Sequence, residues 1–280
     1  FENKNILIDC LSLLKQEKKQ IGFVPTMGAL HVGHLSLLKK SQENNDISVV
    51  TIFVNPTQFN KEEDLVNYPK TIEKDLDLLK NSGCDIVFIP SVDEIYAKNV
   101  TSKSYSFDGI EHEMEGQFRD GHFDGVATIV QAFFEIIKPD NAYFGEKDFQ
   151  QLQVVKKLAE KEKLLVNVVG CAIFREEDGL AMSSRNMRLT KAQRIAAPLV
   201  YQVLKSVSDL VKNHTLNEIY TLVNKEFREN TLLDLEYFTI ADEETLREVT
   251  SLNDSKKLRA FIAVNAGNVR LIDNTPINYN

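Results

Sequence analysis

Nearly continuous apolar runs that alternate with helix-like segments limit what the first part of this chain can fold into. Such runs are typical of strands buried on both faces of a sheet, because a half-exposed strand would alternate apolar and polar residues. The runs lie at residues 21–25, 47–54, 84–90, 141–145 and 164–174. Helix-like segments before and between them lie at 6–15, 33–42, 71–82, 123–138 and 148–161. This order predicts an α/β fold, a Rossmann-like doubly wound parallel sheet with helices on both faces.

Local signals mark where several of these segments begin and end. The clearest helix, 123–138, carries apolar residues at the helical positions i, i+3, i+4, i+7, i+8 and i+11, and Pro139 ends it. Thr71 is placed to cap the helix that follows it, and Gly83 is placed to stop that helix. Pro25 is expected to end the first strand, because proline cannot donate to a sheet ladder.

The pattern changes near residue 175. A polar stretch that contains a glycine, 176–186, is interpreted as a loop. Two helices are predicted after it, at about 190–212 and 215–229, followed by strands at 234–240, 257–266 and 269–273. Strands grouped after helices are typical of an α+β unit. We therefore predict a first domain over 1–175 and a smaller C-terminal α+β domain over 176–280.

The balance of charges restricts the partners of this chain. It carries 33 Lys and Arg against 41 Asp and Glu, a formal net charge of −8. General nucleic-acid or anionic-membrane binding needs a basic face, so we expect neither partner. A few well-placed cations can still bind an anionic small molecule. No apolar run approaches the roughly 20 residues of a membrane-spanning helix, so we expect no membrane span.

The cysteines and the first residues bear on the compartment. Cys10, Cys84 and Cys171 are scattered and odd in number, which predicts no disulfide framework and favours a reducing cytoplasm. No secretory signal is recognised at the start of the sequence. Because the sequence starts at Phe1 rather than Met, we expect a few residues to precede it.

The segment PTMGALHVGH (25–34) follows a predicted strand and runs into a predicted helix. Gly28 allows a tight backbone turn, and Gly33 lets a ligand approach the start of the helix. His31 and His34 are three residues apart, so both imidazoles can face the helix N-terminus. Unpaired N–H groups and the helix dipole favour an anion such as phosphate there. Two surface histidines in a loop are an alternative, and so is a zinc site, although no third ligand is evident nearby.

A second cluster, GEKDFQQ (145–151), also lies between a predicted strand and a predicted helix. Gly145 permits a close backbone approach, and Lys147 is a cation suited to phosphate. Asp148 is suited to orienting Mg²⁺ or a ribose hydroxyl. Gln151 is suited to a substrate that bears hydroxyl and carboxylate groups. A charged helix cap is the alternative explanation for this cluster.

Three further segments carry polar residues with candidate roles. AMSSRN (181–186) places two hydroxyls beside an arginine, which suits phosphate oxygens, in a loop where a hinge and lid would be expected. FVNPTQF (53–59) ends a strand, so its amides can point into the crevice in which α/β sheets bind ligands. In RDGHF (119–123), the arginine is a candidate partner for a carboxylate or phosphate, with His122 nearby. A solvated loop, a turn with capping amides and ordinary surface are the respective alternatives.

Several common catalytic motifs are absent from the sequence. It contains no GxxxxGK[ST] loop, no GxGxxG after a strand, no GxSxG and no HExxH. The usual ATP-loop and dinucleotide-binding interpretations therefore lack support.

Taken together and in this order, PTMGALHVGH, FVNPTQF, GEKDFQQ and DGLAMSSRN, with RLIDN near the C-terminus, resemble the pantoate–β-alanine ligase family of the HxGH nucleotidyltransferase superfamily. The resemblance covers essentially the whole chain. It implies an ATP-dependent ligase of coenzyme A biosynthesis that condenses (R)-pantoate with β-alanine to pantothenate. The implied intermediate is pantoyl adenylate, with AMP and pyrophosphate as the other products. The resemblance also implies Mg²⁺ with the ATP, a cytoplasmic location and a homodimer.

The resemblance further implies which residues form the site. His34 would be the proton-donating catalytic residue, and the chemistry of its neighbours suits them to assist it: His31, Lys147, Ser183, Ser184 and Arg185. ATP would be bound by Met27, Gly28, Ala29, Leu30, His31, Val32, Gly33, His34, Gly145, Glu146, Lys147, Asp148, Phe174, Met182, Ser183, Ser184 and Arg185. The expected substrate ligands are Gln58 for pantoate and β-alanine, Gln151 for pantoate, and also Asn55 and Arg119. Asp148 is the candidate Mg²⁺ ligand.

Two residues depart from the family pattern. Phe174 stands where Val is usual, a change that a backbone contact to the nucleotide would survive. Asp120 stands where Pro is common, which bears on the shape of the 119–123 loop. Because water must be kept from an adenylate, the C-terminal domain with its 176–186 loop is the predicted lid.

Two other functions stay open at this point. One is a different nucleotidyltransferase on the same scaffold that joins a nucleotide to a phosphorylated acceptor. The other is a nucleotide-binding regulatory protein that has lost turnover. A pure binder would not need His34, Lys147 and Arg185 together, which counts against the second.

Overall fold

The structure is a computed structural model that describes residues 1–60, 62–97, 99–255 and 257–277. The chain divides into two compact units. The first holds Phe1–Glu146 and Gln150–Ala172, and the second holds Lys147–Phe149 and the chain from Ile173 onward. The ligand-binding role predicted for 1–175 and the lid role predicted for 176–280 stay predictions.

A five-stranded parallel sheet forms the centre of the first unit. Its strands in chain order are β1 (Ile21–Thr26), β2 (Ile47–Ile52), β3 (Ile86–Phe88), β4 (Asn141–Gly145) and β5 (Asn167–Cys171). Across the sheet they are arranged β3-β2-β1-β4-β5, and every neighbouring pair is parallel. Successive strands are added on one side of β1 and then, from β4, on the other. The order of the strands therefore reverses between β1 and β4.

Eight helices belong to this part of the described chain. They are α1 (Lys4–Gln16), α2 (Val32–Asn44), α3 (Glu62–Val66), α4 (Ile72–Asn81), α5 (Val92–Tyr96), α6 (Glu115–Phe118), α7 (His122–Ile137) and α8 (Phe149–Lys161). Short 3₁₀ turns lie at Pro56–Gln58, Ile110–His112 and Glu146–Asp148.

Successive strand residues point to opposite faces of the sheet, so these apolar strands present apolar side chains on both faces. Helices cover both faces. On one face, the ring of Phe23 in β1 lies 5.9 Å from the ring of Phe133 in α7, centroid to centroid. On the other face, Val24 packs in a buried cluster with Leu38 of α2 and Leu79 of α4. The apolar stripe predicted for α7 is thus the surface that seals one side of the sheet. The predicted α/β doubly wound fold is confirmed.

An antiparallel sheet and three helices make up the second unit. The sheet has the order β6-β7-β8. Its elements are α9 (Lys191–Ala196), α10 (Leu199–Leu210), α11 (Leu216–Arg228), β6 (Asp234–Asp242), β7 (Leu258–Ala266) and β8 (Val269–Ile277). A 3₁₀ turn at Ser184–Arg188 precedes them. The helices α10 and α11 pack on the sheet around a separate buried core. The smaller α+β unit expected at the C-terminal end is therefore present.

Several predicted boundaries were wrong. The single helix predicted for 190–212 is two helices, because Pro198 lacks an N–H group and interrupts the helical ladder. Pro25 does not end β1, which continues to Thr26. β1 pairs with β4 only at Gly22 and Phe23, so Pro25 lies where β1 has a single ladder partner. The last strand runs to residue 277 rather than 273, because it pairs with β7 along its whole length.

Other differences are smaller. The strand predicted for 164–174 is shortened to β5, and part of the predicted 176–186 loop is a 3₁₀ turn. Thr71 does occupy the cap position of α4, but its hydroxyl donates to Asp75 instead of accepting a cap bond. The short helices α3, α5 and α6 carry too few residues to show a period and were not predicted.

Asp108 links the segment before α6 to α8. Its carboxylate accepts from Nζ of Lys157 at 2.7 Å and from Nζ of Lys161 at 2.6 Å. These hydrogen bonds, first from Lys157 and then from Lys161, lower the pKa of Asp108 from 3.8 to about 2.

A depressed folded-state pKa stabilises the fold above the ordinary value and loses that contribution as pH falls. We therefore expect the stability difference between the wild type and Asp108→Asn to be constant above pH 3.8 and to shrink as pH falls towards about 2. Urea unfolding across this pH range measures it, and a carboxyl NMR titration of Asp108 gives the pKa directly. Parallel stability profiles for the two proteins would contradict the assignment.

Candidate active site

The loop after β1 is held in a left-handed turn that leads into α2. Gly28 has φ of +80° and Ala29 has φ of +49°. The backbone N–H groups of Ala29 and Leu30 donate to the two carboxylate oxygens of Asp75, at 2.9 and 2.8 Å. His31 follows in extended conformation as the N-cap, and α2 begins at Val32. The turn therefore delivers the first helical N–H groups to the carboxyl end of the sheet.

His31 and His34 lie against each other at the start of α2. Their rings stack with centroids 4.0 Å apart and an interplanar angle of 29°. The backbone N–H of His31 donates to Nδ1 of His34 at 3.3 Å. Because Nδ1 accepts that bond, a singly protonated His34 ring would carry its proton on Nε2. His34 is thereby set to donate a hydrogen bond through Nε2.

The electrostatics at this point favour an anion. The helix has 13 residues, and its first turn carries no acidic side chain. The N–H groups of a helix N-terminus and its dipole add to the imidazole donor. The first unit thus offers a phosphate-sized anion several aligned donors and no opposing carboxylate in that turn.

Gly145 is the last residue of β4, the strand beside β1. A Cβ placed on Gly145 would meet no atom within 4 Å in the structure. Ligands of open α/β sheets bind outside the carboxyl ends of the strands where the strand order reverses. The start of α2 comes after β1, and the open space over Gly145 lies at the end of β4. The order of the strands reverses between these two strands.

The turn after β2 carries Gln58 beside the β1 loop. The side-chain amide of Gln58 donates through Nε2 to Sδ of Met27 at 3.2 Å. Nδ2 of Asn55 in turn donates to Oε1 of Gln58 at 3.1 Å. A residue predicted to bind ATP and one predicted to bind the substrates are therefore in direct contact.

Asn55 is buried and bonded to protein through both ends of its amide. Its Oδ1 accepts from the hydroxyl of Tyr96 at 2.5 Å and from that of Thr57 at 3.2 Å, and its Nδ2 also donates to the carbonyl of Gly125. Burial raises the pKa of Tyr96, so the phenol keeps the proton that it donates. Asn55 fixes the turn and orients Gln58; a direct substrate contact by Asn55 stays a prediction.

The backbone of Gln58 is held by the segment before and within α7. Its carbonyl accepts from Nδ1 of the buried His122 at 2.9 Å and from the guanidinium of Arg119 at 3.3 Å. That guanidinium also lies 3.2 Å from Nε2 of His122 and 3.8 Å from the carboxylate of Glu115. Arg119 therefore braces the turn that carries Gln58, and its role as a substrate ligand stays a prediction.

Gly125 is required where α7 crosses the same turn. A Cβ there would overlap the carbonyl oxygen of Thr57, and backbone cannot yield to such a contact.

Gln151 lies half-buried in the first turn of α8. Its role in binding pantoate is untested by the structure.

The second unit carries the remaining predicted residues. Nζ of Lys147 lies 3.7 Å from Oδ1 of Asp148, whose side chain is 46% exposed. The backbone carbonyl of Lys147 accepts from Nδ2 of Asn274 at 3.0 Å. The Oδ1 of Asn274 accepts from Arg259 at 2.5 Å, and Arg259 lies over the ring of Phe149. The RLIDN segment thus anchors the backbone at Lys147.

Residues 174–185 form a braced hairpin. The N–H of Met182 donates to the carbonyl of Phe174 at 2.9 Å, and the Phe174 side chain is exposed. Ser183 caps the following 3₁₀ turn by accepting from the N–H of Arg185, while Ser184 is buried. The contact of Phe174 with the nucleotide stays a prediction.

Two ion-pair groups hold this hairpin within its unit. Arg175 makes a two-bond pair with the buried Asp273, at 2.6 and 3.0 Å. Arg194 pairs with Asp178 and Glu176, each at 2.6 Å. The 176–186 segment, predicted from its polarity to be a loop, is bonded through these ion pairs to other parts of its unit, and its predicted lid role stays a prediction.

Within residues 1–60, 62–97, 99–255 and 257–277, no group of three or more His, Cys, Asp or Glu side chains is placed to hold a metal ion. In the same described part of the chain, no helix is long and apolar enough to span a membrane.

Sequence reasoning missed three residues that shape the site: Asp75, Tyr96 and Asn274. Asp75 offered one signal, because it lies four residues before Leu79 and so on the buried face of α4. Tyr96 offered no local signal, since it acts on a residue far away in the sequence. Asn274 lies in the RLIDN segment, but nothing local to that segment indicates its bond to the backbone of Lys147.

Comparison with known proteins places these observations in a family. The model of the pantoate-beta-alanine ligase family matches residues 1–276. The pantothenate synthetase of Flavobacterium psychrophilum is 50% identical over 275 residues, which are 98% of each chain.

Two solved structures agree with this match. The pantothenate synthetase of Thermus thermophilus is 35% identical, with a TM-score of 0.92 over 100% of this chain and 99% of its own. The pantoate-beta-alanine ligase of Francisella tularensis, in complex with beta-gamma ATP and beta-alanine, is also 35% identical. Its TM-score is 0.83 over 100% of this chain and 98% of its own. The chain belongs to the pantoate–β-alanine ligase family.

Proposed function

We propose that this chain condenses (R)-pantoate with β-alanine to give pantothenate, at the expense of ATP. Its family membership supports the proposal, as does the related ligase whose structure holds beta-gamma ATP and beta-alanine. The observation that carries it is the start of α2, where Nδ1 of His34 accepts from the backbone N–H of His31 beside the first N–H groups of a helix. That arrangement suits the phosphates of a nucleotide.

The reaction takes two steps in which atoms and charges balance. The carboxylate of pantoate attacks the α-phosphorus of ATP, and pyrophosphate leaves, giving pantoyl adenylate. The amine of β-alanine then attacks the activated carbonyl, an amide bond forms, and AMP leaves with the oxygen that came from the carboxylate. The protein need supply no covalent nucleophile; it aligns the reactants and stabilises the charge on the phosphate oxygens.

The geometry of the first unit supports the roles that we assign to its residues. His34 donates through Nε2 to a phosphate oxygen, with His31 stacked against it. Gly145 leaves room for the nucleotide beside β4. Gln58 is assigned to pantoate and β-alanine, and its contact with Met27, a residue assigned to ATP, supports a site in which the organic acid lies next to the nucleotide. Gln151 is assigned to pantoate.

The second unit is assigned the remaining ATP contacts and the role of a lid. Lys147 supplies positive charge to the phosphates, and Ser183, Ser184 and Arg185 supply further donors. The braced hairpin supports the lid role, because a rigid element can exclude water from the adenylate as a body.

Mg²⁺ is assigned to the nucleotide rather than to a protein cage, and it would neutralise charge on the triphosphate. Asp148 is suited to share such an ion, because its carboxylate is half exposed. Mg²⁺ usually takes one or two carboxylates and keeps its remaining ligands from phosphate and water.

A homodimer in the cytoplasm completes the proposal. Among the described residues, β5 is an edge strand of the sheet, and Leu165 just before it is 99% exposed. An open edge beside an exposed apolar side chain is a surface that a second copy can cover.

ATP–pyrophosphate exchange tests the proposed function. We expect exchange that requires pantoate and a burst of AMP when β-alanine is added. His34→Ala should lower the exchange rate by about 100- to 1000-fold with the fold kept, since it removes one aimed donor. His112→Ala, on an exposed histidine, is the matched control and should keep the wild-type rate.

Other outcomes would separate the alternatives. Exchange that needs a phosphorylated acceptor instead of pantoate would identify a different nucleotidyltransferase. Nucleotide binding without exchange would identify a regulatory binder. A near-normal rate in His34→Ala would remove His34 from the mechanism.

Gly145→Ala tests where the nucleotide lies. A methyl group there meets nothing in the protein, so thermal stability should change little, whereas the KM for ATP should rise about tenfold if phosphate approaches that backbone. Gly170→Ala should show the opposite pattern, because its Cβ would lie 2.8 Å from Leu152. An unchanged KM for ATP in Gly145→Ala would move the nucleotide away from β4.

A further inference from the structure

Asp75 is a buried acid that no step of the proposed reaction uses. It lies in the first turn of α4 and is 1% exposed. A carboxylate buried close to an expected phosphate would oppose binding unless its charge served another purpose. We propose that Asp75 is a positioning residue for adenylate formation, which holds the 28–30 turn so that His34 and the start of α2 are aimed at the nucleotide. This inference rests on the proposed function.

The carboxylate is matched to the turn on both oxygens. Oδ2 accepts from the N–H of Ala29 at 2.9 Å and Oδ1 accepts from the N–H of Leu30 at 2.8 Å. Oδ1 also accepts from the hydroxyl of Thr71 at 3.1 Å. Three donors therefore face one side chain, and both of its oxygens act as acceptors.

The turn needs such a support because its backbone is unfavourable on its own. Gly28 and Ala29 both have left-handed φ values, +80° and +49°. Glycine adopts this region readily, but the Cβ of Ala29 disfavours it. Two hydrogen bonds from successive N–H groups to a single fixed carboxylate define the direction of both peptide planes.

The held peptides directly precede the one that orients His34. The N–H of His31, in the next peptide along the chain, donates to Nδ1 of His34. If the planes at Ala29 and Leu30 turned, the His31 N–H would turn with them. The tautomer and ring direction of His34 would then no longer be defined. Asp75 thus acts on the reacting groups through two backbone steps and without touching a substrate.

Asp85 offers a matched control at the opposite edge of the sheet. Its Oδ2 accepts from the N–H of Ser48 at 2.8 Å and from the Ser48 hydroxyl at 2.7 Å. These bonds lie at the amino ends of β2 and β3, away from the carboxyl edge that carries the candidate site. Asp85→Asn therefore removes the same kind of bond without touching the α2 turn.

The test compares Asp75→Asn with Asp85→Asn in the full chain. An asparagine amide keeps the size of Asp75 but places an NH₂ against one backbone donor, so one of the two bonds is lost. We expect Asp75→Asn to lower kcat/KM for ATP by about 10- to 100-fold, as a slightly misplaced donor does, with the KM for pantoate within about twofold of wild type. Asp85→Asn should lower the melting temperature but keep kcat/KM for ATP within about twofold.

A spectroscopic readout separates positioning from general destabilisation. The ¹⁵N shifts of His34 should report a neutral ring protonated at Nε2 in the wild type and in Asp85→Asn, and a mixture of tautomers in Asp75→Asn. If Asp75→Asn does not fold, Thr71→Val removes only the third donor. It should give a smaller fall in kcat/KM for ATP with the same direction of tautomer change.

The outcomes distinguish this inference from the proposed function. Absence of pantoate-dependent exchange in the wild type would overturn the proposed function and, with it, the inference. Wild-type exchange together with an unchanged kcat/KM for ATP and an unchanged His34 spectrum in folded Asp75→Asn would overturn the inference alone. The inference alone would also be overturned if both variants lost kcat/KM for ATP only in proportion to their fractions of unfolded protein.

Discussion

The candidate site depends on the backbone N–H groups that the N-terminus of α2 presents at the carboxyl edge of the parallel sheet. The start of α2 delivers those groups next to β1, and Gly145 leaves the neighbouring end of β4 open. A helix N-terminus attracts anions only where its donors are left unsatisfied by protein. The order of the strands reverses between β1 and β4, and open α/β sheets bind their ligands beyond the carboxyl ends of the strands at such a reversal.

Much of the fold could be predicted from the sequence, because strand and helix periods are local. The apolar stripe of α7 predicted the helix, and the structure shows that stripe packed against Phe23. The continuous apolar runs predicted the parallel sheet. The predicted boundaries were wrong where a single residue, or pairing with another strand, overrides the local spacing of apolar residues. Pro198 divides a segment that otherwise has helical spacing, and β8 is extended by pairing with β7, which no local pattern in β8 reveals.

The site was harder to predict from the sequence than the fold, since hydrogen bonds between distant segments hold it together. The motifs marked the backbone turns that face the crevice, yet the bonds that fix them come from side chains such as Tyr96 and Asn274. Asn55 illustrates the limit: its position after a strand suggested a ligand, whereas its amide is bonded to Tyr96, Gln58 and Gly125. Polarity in a sequence shows that a group needs partners, but the partners themselves follow from tertiary packing.

The site and the family membership lead to one chemical claim: the carboxylate of pantoate is activated by transfer of AMP. Transfer of oxygen tests this claim most directly. With pantoate labelled with ¹⁸O in both carboxylate oxygens, the reaction with ATP and β-alanine should leave one ¹⁸O atom in the phosphate of each AMP released, measured by mass spectrometry. Pantothenate formed with unlabelled AMP would contradict the account, because the carboxylate oxygen would then never have been bonded to the α-phosphorus.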